Sequence, residues 1–233
     1  GHETGLYYRL MIEHVERVLL DIKEVYPGYD AQYGYELAGM VWFQGWNDMV
    51  DRGVYPRRDQ PGGYDHYSDA LGHFIRDVRR DLSTPDLPFV IGVIGVGGAV
   101  EHYGARQKRY AGIHQYFRSA MAAPATWPEF DGNVSSVLTE NYWDMELTAL
   151  RARDAELNQK MKQLVSNGNL QKKEQQSMRE KLRAEMFTKR ELETLQKGVS
   201  NQEYHYLGSA KIMAQIGRGF AESMAQLMGP SSN

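Results

Sequence analysis

Apolar positions along the chain change their period several times, and each change predicts a new element. From residue 4 to residue 25, Tyr7, Met11, Val15, Val18, Ile22 and Val25 recur at steps of three and four. That spacing predicts a helix with one apolar stripe, with Thr4 able to cap its first turn. The loop PGYDAQYGYE follows, and then LAGMVWFQ is apolar at almost every position. Such continuity predicts a strand buried on both faces, as in a parallel sheet covered by helices.

Residues 54 to 64, VYPRRDQPGGY, form a Pro/Gly-rich loop before a second helical stripe of Tyr67, Leu71, Phe74, Ile75 and Val78. LPFVIGVIGVGG reads as the next strand, ending in glycines. A helical pattern runs from Gln107 to Ala123, and NVSSVLTE supplies a third strand. Alternating strands and helices predict an α/β layer structure with right-handed crossovers.

Between residues 145 and 197 the texture becomes rich in Glu, Lys, Arg and Gln. Leu147, Leu150, Leu157, Met161 and Leu164 lie at near-heptad spacing before the breaker SNGN, and Met178, Leu182, Met186, Leu192 and Leu195 follow it. This predicts an antiparallel helical hairpin inserted into the domain, shortened or made imperfect by Asp154 in its seam. NQEYHYLGSAK then leads into a last helix with the stripe Ile212, Met213, Ile216, Phe220 and Leu227.

Composition narrows the chemistry. The 233 residues are 42% hydrophobic and 24% charged, ordinary for a globular protein, and one core is the simplest reading. A net charge of -3 offers no general attraction for nucleic acid or an acidic membrane. The absence of cysteine removes disulfides, thiolate metal sites and cysteine nucleophiles. Position 1 is Gly rather than Met, as in a processed or truncated piece of a longer chain.

Ligands of open parallel sheets bind beyond the carboxyl ends of the strands. Gln44, Gly45, Asn47 and Asp48 follow the first strand, Gly97 and Gly98 the second, and Glu140 to Asp144 the third, while His205 precedes the last helix. QGWND also reads as a plain strand-to-loop turn in which Gly45 bends the backbone and Asn47 or Asp48 caps the next segment. Trp42 and Trp46 add flat apolar surface beside amide donors, which suits a small polar ligand such as a sugar. His205 alone reads as readily as a helix-start histidine satisfied by backbone. The other histidines, His2, His14, His66, His73, His102 and His114, share no metal-ligand spacing. IGVIGVGG lacks the G-x-G-x-x-G order of a dinucleotide loop, so no cofactor is expected.

AGMVWFQGWNDM and the later YHYLGSAK together resemble the sialate O-acetylesterase-like branch of the SGNH (GDSL-type) hydrolases, which includes acetylxylan esterase-like carbohydrate esterases. The likeness runs from about Gly5 to Met228, with the hairpin as an insertion. It implies a three-layer α/β/α fold around a parallel, flavodoxin-like sheet. It also implies a serine attacking an acetyl ester on a carbohydrate, with His205 as its general base. Asn47 and Gln44 would be oxyanion or positioning donors, Gly45 would allow close backbone approach, and Trp42, Trp46 and Asp48 would contact substrate. A periplasmic or secreted location follows from the same resemblance.

Two departures shape the expectation. The family's nucleophile lies in an N-terminal G-x-S or G-Q-S-N block directly after the first strand, and no serine here sits in that context, which makes residues 1–233 roughly the C-terminal two-thirds of a domain. The serine then comes from a preceding segment of the same protein, present as a separate chain if the protein is cleaved. Position 202 is Gln where the superfamily often has Asp, which leaves Asp144, Glu203 or a Ser/His dyad, and Asp144 is favoured. The competing expectation is a carbohydrate-binding or scaffold protein that kept the fold and lost the nucleophile. The hairpin serves either as a decoration packed on its own domain or as a homo-oligomer contact.

Overall fold

The computed structural model describes residues 4–168 and 171–229. His2 and Asn169, the last residue of the SNGN breaker, lie outside them. The described chain divides into two compact units, one within Gly1–Gly92, Tyr116–Val137 and Phe220–Asn233, the other within Val93–Gln115 and Leu138–Gly219. The protein is α/β, with three parallel strands and many helices.

The strands are β1 (Met40–Trp42), β2 (Phe89–Val93) and β3 (Val134–Leu138), in sheet order β1-β2-β3. β1 pairs with β2 in the register Met40↔Phe89, Val41↔Val90 and Trp42↔Ile91. The middle strand meets the expectation of its sequence: every residue of β2 is buried. β1 does not. It is three residues long and Val41 is 41% exposed, so one position of the apolar run is left uncovered.

In the first unit, helices α1 (Leu6–Leu20), α2 (Ile22–Val25), α3 (Trp46–Val50) and α4 (Asp65–Asp81) precede β2. The stripe of α4 is the core of this unit: Tyr67, Leu71, Ile75 and Val78 are buried, and Phe74 packs edge-on against Phe89. Each fully buried aliphatic side chain contributes about 1.5–3 kcal/mol. The α4 guanidinium of Arg79 is buried too, satisfied by Leu87 O at 2.9 Å and Asn133 Oδ1 at 2.8 Å. Burial lowers its pKa.

The N-terminal stripe behaves differently. Met11, Val15, Val18 and Ile22 are half-buried, Tyr7 and Val25 are exposed, and Asp21 interrupts the helix with φ -141° and ψ 75°. Gly5 rather than Thr4 stands at the N-cap, with no side-chain cap, so the predicted Thr4 cap does not form.

Helix α5 (Ala111–Ala122) begins after a 3₁₀ turn over Lys108–Tyr110, which shortens the predicted Gln107–Ala123 helix. The second unit carries α6 (Met145–Ser166), α7 (Glu174–Met186) and α8 (Lys189–Gly198). Leu150, Leu157, Met161 and Phe187 form a buried cluster, against which Met178, Leu182, Met186, Leu192 and Leu195 pack. Arg153 of α6 meets Met186 O and Glu191, and Asn158 meets Arg179, so rising numbers in α6 face falling numbers in α7. Seam residue Asp154 is satisfied locally by the Asn158 amide at 3.0 Å.

The second arm is broken where Phe187 turns extended and Thr188 caps α8 in a reciprocal capping box with Glu191. The Thr188 backbone N–H and the Arg153 guanidinium hold the Glu191 carboxyl down at about 2. The last helix is α9 (Ala210–Met228), with Ile212 and Ile216 buried.

Candidate active site

The turn after β1 begins at Gln44, which is exposed, and passes through buried Gly45 at φ 159° and ψ -4°. Glycine, having no Cβ, adopts this combination readily. Its carbonyl accepts the Met49 N–H at 2.9 Å and opens α3. The Gln44 amide donates to Asp48 Oδ2 at 3.1 Å across that first turn. From behind, the Tyr67 hydroxyl donates to Gln44 O at 3.1 Å and accepts the Trp42 indole N–H at 3.5 Å. Burial raises the Tyr67 pKa, which keeps this hydroxyl a donor.

The tryptophans therefore differ from their predicted shared use. Trp42 has its ring centroid 4.5 Å from Phe74 and its N–H on Tyr67, so it is tied to the interior of its unit. Trp46 is half-buried in α3, while Asn47 is exposed. Tyr64 and Arg58 close the turn from below by donating to Met49 O at 2.6 and 2.9 Å.

In the second unit, the chain leaving β2 passes so close to the chain leaving β3 that Gly95 has no alternative. A Cβ there would lie 1.8 Å from the Glu140 nitrogen. Thr139, fully buried, gives its one hydroxyl hydrogen to Val93 O at 2.6 Å. The Tyr206 hydroxyl lies 2.8 Å from Thr139 Oγ1 and accepts the Gly95 N–H at 2.9 Å. With the Thr139 hydrogen committed, the Tyr206 hydrogen points to Thr139. The result is a one-way chain, Gly95 N–H to Tyr206 to Thr139 to Val93 C=O, with every group satisfied.

His205 stands one residue before Tyr206 and is exposed, its ring edge-on to Tyr204 at 4.4 Å. The loop around it is closed by its own backbone. Ser200 and Asn201 N–H both donate to Leu207 O, and His205 and Leu207 N–H both donate to Gln202 O. Tyr206 (φ 51°) and Leu207 (φ 62°) are left-handed yet buried, and Gly208 continues at φ 59°. For side chains with a Cβ each such residue costs about 1–2 kcal/mol, so packing and the hydroxyl chain must hold them there.

The two carboxylates considered for His205 have other partners. Asp144 caps α6 through Leu147 N–H at 2.9 Å and pairs with Lys211 at 2.7 Å. Burial pushes its carboxyl up, but Lys211 and the Leu147 N–H outweigh burial and bring it below the usual aspartate range. Glu203 accepts from Arg151 at 2.8 Å. Among the described residues neither carboxylate is hydrogen-bonded to the imidazole. No group of three or more His, Asp or Glu side chains among them is arranged to hold a metal ion, and no helix there is long and apolar enough to cross a membrane.

Sequence reasoning missed Tyr206, Thr139 and Gly95. Tyr and Thr carry no motif of their own, and the only sequence signal was a glycine at a strand end.

Three parallel strands with many helices define the class, that of the α/β proteins. Residues 7–124, just over half of the chain, match the family described as carbohydrate esterase, sialic acid-specific acetylesterase, and the chain belongs to that family. The matched residues include Trp42 to Asp48, whereas Asp144 and His205 lie beyond them. Searches among curated proteins and among solved structures gave no match.

Proposed function

We propose that this chain is the later part of an SGNH-type carbohydrate O-acetylesterase whose nucleophilic serine comes from a preceding segment of the same protein. The family match across the QGWND turn is the observation that supports it most directly. In this reading the serine hydroxyl attacks the acetyl carbonyl of the sugar ester and His205 takes its proton. Asn47 and Gln44 donate to the oxyanion, each such donor lowering the barrier by about 3 kcal/mol. Collapse expels the sugar hydroxyl, which takes the proton back from His205. Water, deprotonated by His205, then releases acetate and restores the serine.

Gly45 lets the backbone approach the acyl group, and Trp46 and Asp48 contact the sugar, with Trp42 supporting them from behind. Asp144 orients His205 in the working enzyme by exchanging Lys211 for the imidazole; otherwise the pair acts as a dyad. Helices α6–α8 are an insertion in this domain, and export to the periplasm or medium fits an enzyme acting on external glycans.

The test is acetate release by the chain combined with its upstream segment. Changing His205→Ala is expected to lower kcat at least about 100-fold. Equal activity of the two proteins would end the proposal.

One observation favours a second reading, a carbohydrate-binding protein without catalysis: both carboxylates considered as partners of His205 are engaged by cations. In that case acetylated sugar binds with unchanged affinity in His205→Ala, and no acetate appears from either protein.

A further inference from the structure

His205 belongs to a loop with no regular structure beyond a 3₁₀ turn and has an exposed ring, yet a base must be held still to act. The residue next to it is the most constrained tyrosine of its unit in backbone terms. Tyr206 is left-handed, 7% exposed, and its hydroxyl reaches residues 67 and 111 positions away in sequence. Those partners, Gly95 and Thr139, belong to the chain leaving the carboxyl ends of β2 and β3.

We infer that Tyr206 is the positioning residue of His205: its hydroxyl, clamped between the Gly95 N–H and Thr139, pins the imidazole-bearing loop to the strand ends. This inference rests on His205 being the base of the esterase reading. The left-handed turn at Tyr206 and Leu207 sends the tyrosine inward while its neighbour stays in solvent. Two buried side chains would relax to ordinary backbone without a counterforce, and the hydroxyl chain supplies one. Tyr206 itself touches no substrate; it acts through the backbone it shares with His205.

The experiment compares Tyr206→Phe, Thr139→Val and Thr139→Ser in the whole protein, each checked for folding by circular dichroism and melting. Two readouts follow: hydrolysis of 4-nitrophenyl acetate, and the His205 Cε1–H proton resonance, assigned by its loss in His205→Gln. Tyr206→Phe and Thr139→Val are each expected to move or broaden that resonance and to lower kcat about tenfold, with KM within about twofold. Their double variant should be no worse than the poorer single, since both cut one chain, and Thr139→Ser should behave as wild type.

A resonance unmoved in both single variants, or losses that multiply to about a hundredfold in the double, overturns the inference and leaves Tyr206 a core contact. If Tyr206→Phe fails to fold, the Thr139→Val and Thr139→Ser pair carries the test. A wild-type protein that releases no 4-nitrophenol sinks the esterase reading instead, and the resonance then decides the positioning by itself.

Discussion

The turn after β1 and the loop before α9 both set polar side chains beside unusual backbone, and they hold that backbone by different means. The first turn puts glycine at the bend and closes itself with near neighbours, the Gln44 amide reaching Asp48 four residues on. The second puts Tyr206 and Leu207 in left-handed conformations and relies on partners far away in sequence. A glycine turn is stable almost wherever it is placed. A strained tyrosine needs partners to hold it, so the second loop depends on its hydrogen bonds to the strand ends.

The most damaging way to break that contrast is at the anchor. Gly95→Ala would drive a methyl group into the Glu140 backbone nitrogen, and since backbone yields less than side chains, about 3 kcal/mol or more should be lost. Urea denaturation measures it; an unchanged midpoint would mean that the two strand exits are not in contact.

A sharper comparison removes one hydroxyl from each region. Tyr206→Phe leaves the Gly95 N–H buried with no acceptor and should cost about 1–3 kcal/mol. Tyr67→Phe removes the donor to Gln44 O, on an exposed residue, and the long 3.5 Å contact with the Trp42 indole N–H, and should cost about 0.5–1.5 kcal/mol. Equal losses would show that both turns are held alike.

The smallest effect is set by pH. The Asp144 carboxyl is depressed in the folded protein, so its contribution is complete above the ordinary aspartate value of 3.8 and fades as pH falls through the lower folded value. Asp144→Asn retains a capping side chain but loses the charge paired with Lys211. It should melt about 2–4 °C lower at neutral pH, with the gap closing below about pH 4. A gap that persists in acid would assign the loss to the cap rather than to the ion pair.

Much of the architecture was legible because local pattern and final burial agree. The stripe of α4 and the unbroken apolar run of β2 both end up inside. The first stripe, from Tyr7 to Val25, has the same periodicity, yet nothing in α1 is fully buried. Periodicity reports which face of a helix is apolar, not what will cover it. LAGMVWFQ likewise read as a strand buried on both faces, yet Val41 is exposed. In α7 and α8 the heptad-like spacing continues through Phe187, but Thr188 and Glu191 close a capping box that divides the arm.

Of the candidate site, QGWND could be located at a strand end from its residue types alone, and its family lies in the same stretch. The support of His205 could not, because no spacing rule connects a tyrosine to a threonine 67 residues earlier.

By itself the sequence determined the alternation of strands and helices, the glycine turn after β1 and the place of His205 before the last helix, all of which follow from neighbours a few residues apart. Only the tertiary structure decided which apolar faces are buried, which cations hold Asp144 and Glu203, and that Tyr206, the residue after His205, bears a left-handed backbone. The physical reason is that hydrogen bonds and close packing join atoms by distance in space, and chain pattern carries that information only where the partners are also near in sequence.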